Sequence, residues 1–150
     1  MIRNEFGHKV LYTANVGDSR AVVVSNGAAK RMTVDHRPSE QSEIDRVKAA
    51  GGKIFNGRLC GSLAITRAMG DHQFKNDGLS ATPSVNKYVL RPFDKYLLVA
   101  SDGIWDFISE DLVASHCKDD LTTKQIAKNI IKAAIDSMGQ DNISIIVVRI

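Results

Sequence analysis

The stretch "YLLVASDGIWDFIS" (residues 96–109) sets an apolar run against Asp-Gly, an aromatic and a second aspartate four places after the first. The apolar run reads as a buried strand bounded by a turn signal. Asp-Gly alone is enough to turn a chain, so Asp106 calls for another use. Four residues in a helical turn return to the same face, which puts Asp106 on the side of Asp102.

Two other apolar segments also carry an aspartate at one end: Asp18 follows residues 10–16, and Asp141 precedes residues 143–150. If the last two strands are antiparallel neighbours, the exit of one adjoins the entry of the other, and Asp102 and Asp141 share one end of a sheet. Each aspartate also has a plain structural reading, since Asp102 suits a helix cap and Asp141-Asn142 an Asx-turn. Gathered together they need more explanation. Two carboxylates about 4 Å apart repel by about 4 kcal/mol at an effective dielectric of about 20, so such a group takes up protons or binds a cation. Aspartates without matching His or Cys ligands favour a hard, oxygen-seeking ion, Mg²⁺ or Mn²⁺ over zinc.

Around these segments the chain alternates strands and helices. "KVLYTANVG" alternates like a strand, and "RAVVVSNGAAKRMTV" reads as two short strands around an Asn-Gly turn, so the opening is expected to be an antiparallel meander. "HRPSEQSEIDRVKAAGG" predicts a helix with Ser39 as N-cap, Glu40 and Glu43 near its positive end, and Gly51-Gly52 as its stop. Ile44, Val47 and Ala50 recur there at helical spacing. Residues 53–84 hold mixed polarity and many glycines, and read as an irregular segment with only "SLAIT" strand-like. Strands return at "VNKYVL" and "KYLLVAS", and a short helix begins near Ser109. "LTTKQIAKNIIKAAIDSMGQ" predicts a helix with a Thr122/Gln125 capping box, an apolar stripe through Ile126, Ile130, Ala134 and Met138, and Gly139 as its end. The closing "NISIIVVRI" is apolar on both faces, as in a central strand covered on both sides.

Composition narrows the function classes. The 150 residues, 43% hydrophobic and 25% charged, fit one globular domain. The net charge of +3 comes from dispersed basic residues without a patch, which argues against nucleic acid. No apolar run reaches the length of a membrane span, and the polar start "MIRNEFGHK" is no signal peptide. The two cysteines, Cys60 and Cys117, have no metal-ligand spacing and suit a reducing, intracellular compartment, cytoplasmic or nuclear.

Five segments in order, "ANVGDSRAVV", "TVDHRP" with the "AGG" helix end, "GSLAITRAMGD", "LLVASDGIWDFIS" and "GQDNISIIVV", resemble the metal-dependent serine/threonine protein phosphatases of type 2C. The resemblance implies an α+β fold, part of an α-β-β-α sandwich of two largely antiparallel sheets flanked by helices. It implies a site for two or more Mg²⁺ or Mn²⁺ ions at one end of the sheets, with Asp102 bridging two ions and Asp141 binding one. Asp18 and Asp106 match acidic positions associated with a further, weaker metal. It further implies phosphoserine and phosphothreonine proteins as substrates, hydrolysed by a water held between the ions. No nucleophilic side chain is required, so Ser19, Ser101, Cys60 and Cys117 have no catalytic assignment. Residues 47–75 would include a flap beside the active site where substrate preference is set. Trp105 is expected to pack under the Asp102 turn, and His36 to organise the loop before the first helix. His8, His72 and His116 are expected on the surface. Arg67 is read as an ion-pair partner, with an anionic substrate as the alternative.

The family's opening segment, with an acidic metal ligand, a phosphate-binding Arg and an Asp-Gly-His-Gly-Gly motif, has no counterpart here. Residues 1–150 are therefore expected to be the C-terminal part of a catalytic domain, with little activity alone and with association through uncovered sheet edges. The alternative is a non-catalytic phosphatase-like module that binds phosphoproteins or a partner.

Overall fold

A computed structural model describes residues 1–138 and 141–150. The strands are β1 (Ile2–Glu5), β2 (His8–Asn15), β3 (Arg20–Ser25), β4 (Ala28–Arg31), β5 (Ile54–Phe55), β6 (Arg58–Leu59), β7 (Ser84–Val89), β8 (Asp94–Ala100) and β9 (Ile145–Arg149). The helices are α1 (Gln41–Ala49), α2 (Asp102–Trp105), α3 (Glu110–Ser115) and α4 (Thr123–Asp136), with a 3-10 helix over His72–Asp77. Two compact units are formed, one from Met1–Thr13, Ser19–Thr33 and Val85–Ile150, the other from Ala14–Asp18 and Val34–Ser84.

The first unit carries an α+β arrangement of two sheets, ordered β1-β2-β7 and β4-β3-β8-β9. Asn26 and Gly27, at φ 49° and 78°, make the expected tight turn between β3 and β4. The meander does not hold, because β2 and β3 lie in different sheets. The reason is visible in β3, where Ala21, Val22, Val23 and Val24 are all buried. Ala21 and Val23 pack with Leu11, Met32 and Leu97, whereas Val22 and Val24 pack with Tyr96, Leu98 and residues of α2, α3 and α4. A strand buried on both faces needs a sheet on one side and helices on the other. β1 carries no strand signal in sequence, because its residues are largely exposed and show no apolar alternation. It is defined by its antiparallel partner β2 across a Phe6-Gly7 turn with φ of 48° and 82°.

In α4, Ile126, Ile130 and Ala134 are fully buried against the second sheet. Burial of each isoleucine contributes about 1.5–3 kcal/mol. Met138 leaves the stripe: it is 83% exposed with φ 63°, beyond the C-cap Ser137, and its left-handed backbone turns the chain away. Gly139, the expected stop, lies outside the described residues. The capping box is present, with Thr122 Oγ1 accepting from the Gln125 amide and the Thr122 amide donating to Gln125 Oε1 at 2.9 Å. Thr122→Ala is expected to lower stability by about 1 kcal/mol, read as a shift in the urea midpoint that Thr122→Ser does not produce.

β9 corrects a second expectation. Among the described residues it is the edge strand of its sheet, paired antiparallel with β8. Ile145 and Val147 face the helices, but Ile146 is 63% exposed, and Val99 and Val148 beside it are partly open to solvent.

The second unit is built around α1. Its N-cap is Glu40, without a side-chain bond, and not Ser39; Gly51 at φ 80° follows its end. The buried stripe of α1 is Glu43 and Val47, with Ala50 exposed. Val47, Leu59 and Leu79 form a small core with Ile54, Leu63 and Phe74 around it. Residues 53–84 are irregular as expected, apart from the 3-10 helix over His72–Asp77 and the β5–β6 hairpin, whose Asn56-Gly57 turn at φ 49° and 69° has the same form as the Asn26-Gly27 turn. "SLAIT" is not a strand; only Leu63 makes an isolated bridge, to Leu59.

Candidate metal centre

β8 and β9 pair with Ala100 opposite Ile145, which places the exit of one strand beside the entry of the other. Beyond the last pair the backbones stay stitched. The Ser101 amide donates to Ser144 O at 3.1 Å, and Ser101 Oγ accepts from the Ser144 amide while donating to Asn142 O at 3.2 Å. The Ser101 hydroxyl thus serves the backbone. Gly103 permits this approach, since a Cβ there would lie 2.4 Å from Asn142 O. This register brings the end of β8 before Asp102 and the start of β9 after Asp141 to one end of the sheet, where the strand-end spacing puts both aspartates.

Asp102 opens α2, partly buried, with Oδ1 accepting from the Gly103 amide at 3.0 Å. Asp141 is exposed, and its Oδ1 accepts from the Asn142 amide at 2.7 Å. Asp106 is the C-cap of α2, exposed, and its amide donates to Asp102 O at 2.9 Å, the helical turn the spacing predicts. Trp105 lies under this turn, 7% exposed, with Nε1 donating to Ala100 O at 2.9 Å and the Arg20 guanidinium over its ring.

Asp18 belongs to the second unit, where Arg37 forms an ion pair with it at 2.9 Å. The preceding glycine is clipped by His36, whose Nδ1 accepts from the Gly17 amide at 3.1 Å and whose own amide donates to Gly17 O. His36 Nε2 then donates to Ser84 Oγ at 2.8 Å. Burial, and next the Arg67 guanidinium, hold the His36 pKa below its ordinary value, in keeping with a neutral ring that organises the loop. His8 and His72 are exposed as expected, whereas His116 is half-buried.

Sequence reasoning missed the role of Glu43. Its side chain is 3% exposed and accepts from Arg67 Nε at 3.0 Å, Arg46 Nη2 at 2.9 Å and Thr66 Oγ1 at 2.7 Å. Arg67 is accordingly an ion-pair residue. Burial alone pushes the Glu43 carboxyl up, but the hydrogen bonds from Arg67, Arg46 and Thr66 outweigh it and bring the pKa down to about 2. The available signal was positional: Glu43 precedes Val47 by one helical turn, on the buried face.

The donor chemistry of Asp102 and Asp141 fits a hard divalent cation. The donor number does not close a site, because among the described residues no group of three or more His, Cys, Asp or Glu side chains is arranged to hold a metal ion.

Comparison with known proteins decides the family. The family model for protein phosphatase 2C matches residues 2–143. The chain belongs to the protein phosphatase 2C family. Protein phosphatase 2C homolog 1 of Saccharomyces cerevisiae is 38% identical over 92% of this chain and 49% of its own length. Protein phosphatase 2C homolog 2 of Schizosaccharomyces pombe is 36% identical over 94% of this chain and 43% of its own. Among solved structures, a Caenorhabditis elegans sex determining protein superposes with a TM-score of 0.82 at 30% identity, over 97% of this chain and 38% of that one. A phosphatase from Toxoplasma gondii gives the same TM-score of 0.82 at 28% identity, over 93% and 44% of the two chains. The 150-residue chain thus spans less than half the length of these relatives.

Proposed function

We propose that this chain serves metal-dependent hydrolysis of phosphoserine and phosphothreonine in proteins, and that residues 1–150 alone have little turnover. The reading is carried by the adjoining of the strand ends that bear Asp102 and Asp141, where β8 leaves and β9 enters the sheet. In it, Asp102 and Asp141 hold Mg²⁺ or Mn²⁺, with Asp106 on the next helical turn, while the family resemblance alone associates Asp18 with a further, weaker metal. Two such ions, when bound, activate water and offset charge on the phosphoryl oxygens. The chain's own residues set the positions. Gly103 lets the two strand ends approach, the Ser101 hydroxyl fixes residues 142 and 144, and the Trp105 ring with its bond to Ala100 O holds α2 in place. No helix among the described residues is long and apolar enough to cross a membrane, and a phosphoprotein partner is the one this chemistry requires.

Calorimetric titration of the purified 150-residue chain with Mn²⁺ tests the assignment. Asp102→Asn is expected to weaken Mn²⁺ binding by about tenfold or more, because it removes charge from a donor that a dication needs. Equal affinity of the variant and the parent chain would sink the assignment. Phosphopeptide turnover by the same sample is expected to stay at background with Mn²⁺ present. Turnover that Asp102→Ala abolishes would show that the chain is active by itself.

A further inference from the structure

The β5–β6 hairpin lies within residues 47–75, where the resemblance places substrate preference, and it borders a groove whose ligand chemistry that resemblance does not specify. Its inner side is anchored, with Leu59 fully buried beside Val47 and Leu79. Its outer side pairs Phe55 with Arg58, and Phe55 is 67% exposed. Between the hairpin and the end of α1 lies a groove of about 530 Å³ lined by Lys48, Gly52, Lys53, Ile54, Phe55 and Cys60. That volume is in the range of ligand-binding clefts, about 300–1,000 Å³.

The walls are fixed by backbone. The Cys60 amide donates to Lys53 O at 2.9 Å, and Gly52 sits so close to Asp77 that a Cβ would lie 2.0 Å from its carbonyl oxygen. A groove held this way loses little freedom when filled. Its lining combines an apolar wall, Ile54 and Phe55, with two ammonium groups, Lys48 and Lys53, and includes no carboxylate. A large apolar side chain flanked by acidic residues is the complementary occupant.

We propose that this groove docks an acidic peptide segment of the phosphoprotein substrate, its apolar residue against Phe55 and Ile54 and its carboxylates toward Lys48 and Lys53. The substrate's identity as a phosphoprotein rests on the function proposed above; the peptide chemistry rests on the groove. Fluorescence anisotropy with a labelled hexapeptide, a central Leu-Phe pair flanked by glutamates, tests the docking directly. Phe55→Ala and Lys53→Glu are each expected to weaken binding by about tenfold, and raised salt to weaken binding to the parent chain.

The exposed Cys60 thiol supplies a second readout. Burial pushes the half-buried Cys117 thiol up to about 11, so alkylation near neutral pH falls on Cys60. Saturating peptide is expected to slow that alkylation severalfold. Binding that is equal in the parent chain, Phe55→Ala and Lys53→Glu, or no peptide binding at millimolar concentration, overturns the proposal. The peptide assay needs no metal. Docking that persists while Asp102→Asn leaves Mn²⁺ affinity untouched would therefore remove the metal assignment of Asp102 and keep the groove.

Discussion

Glu43→Ala is expected to destabilise the fold by about 3–5 kcal/mol, as removal of one partner from a buried ion pair does. The carboxylate is 3% exposed and receives Arg67, Arg46 and Thr66 together. Its loss leaves two guanidinium groups facing a site without counter-charge. Both arginines also brace the loops, Arg46 donating to Thr66 O and Gly78 O, and Arg67 to Thr82 O. The damage would therefore spread through residues 66–82. The same carboxylate sets an acid limit. With its pKa lowered from 4.5 to about 2 in the folded chain, its contribution is present in full above 4.5 and is lost as pH falls toward 2. The size is about 3 kcal/mol at about 1.4 kcal/mol per pKa unit. Urea midpoints followed by circular dichroism between pH 6 and pH 2.5 check both points. The parent chain should lose stability on acidification, and Glu43→Ala should start lower and decline less.

Gly103→Ala is the second large effect. The added methyl would sit 2.4 Å from Asn142 O and 3.0 Å from Asn142 C, both backbone atoms without a flexible way out. Forcing them apart costs about 1–3 kcal/mol and separates the strand ends that carry Asp102 and Asp141. The expected result is a lowered thermal midpoint together with weaker Mn²⁺ binding in calorimetry. Gly70→Ala, where nothing lies within 4 Å of the new methyl, should change neither. A Gly103→Ala chain with the parent's midpoint and affinity would show that the close approach is unimportant.

What the sequence revealed follows from how local each signal is. The Asn26-Gly27 turn, the Thr122 cap and the Ile126–Ala134 stripe are decided within a few residues, and all three stand. The strand-end placement of Asp102 and Asp141 needed only that β8 and β9 be antiparallel neighbours, which they are. Errors arose where distant partners decide. β1 has no apolar pattern and exists through its pairing with β2, and β9 looks central in composition yet occupies an edge. Glu43 shows the same limit. A glutamate in the first turn of a helix ordinarily answers the helix dipole, and only Arg67 and Thr66, more than twenty residues away, turn it into a buried anchor.

The sheet order also gives the two strand-end aspartates different kinetic standing. Asp102 follows β8, which is hydrogen-bonded to β3 on one side and β9 on the other, whereas Asp141 precedes β9, which among the described residues is bonded within its sheet to β8 alone. Amide protons of β8 are therefore expected to exchange with solvent through the larger openings of the fold, and those of β9 through smaller, more frequent ones. A cation held by both carboxylates would clamp the fast-opening strand to the slow one. Its affinity would then include the free energy of keeping that edge closed.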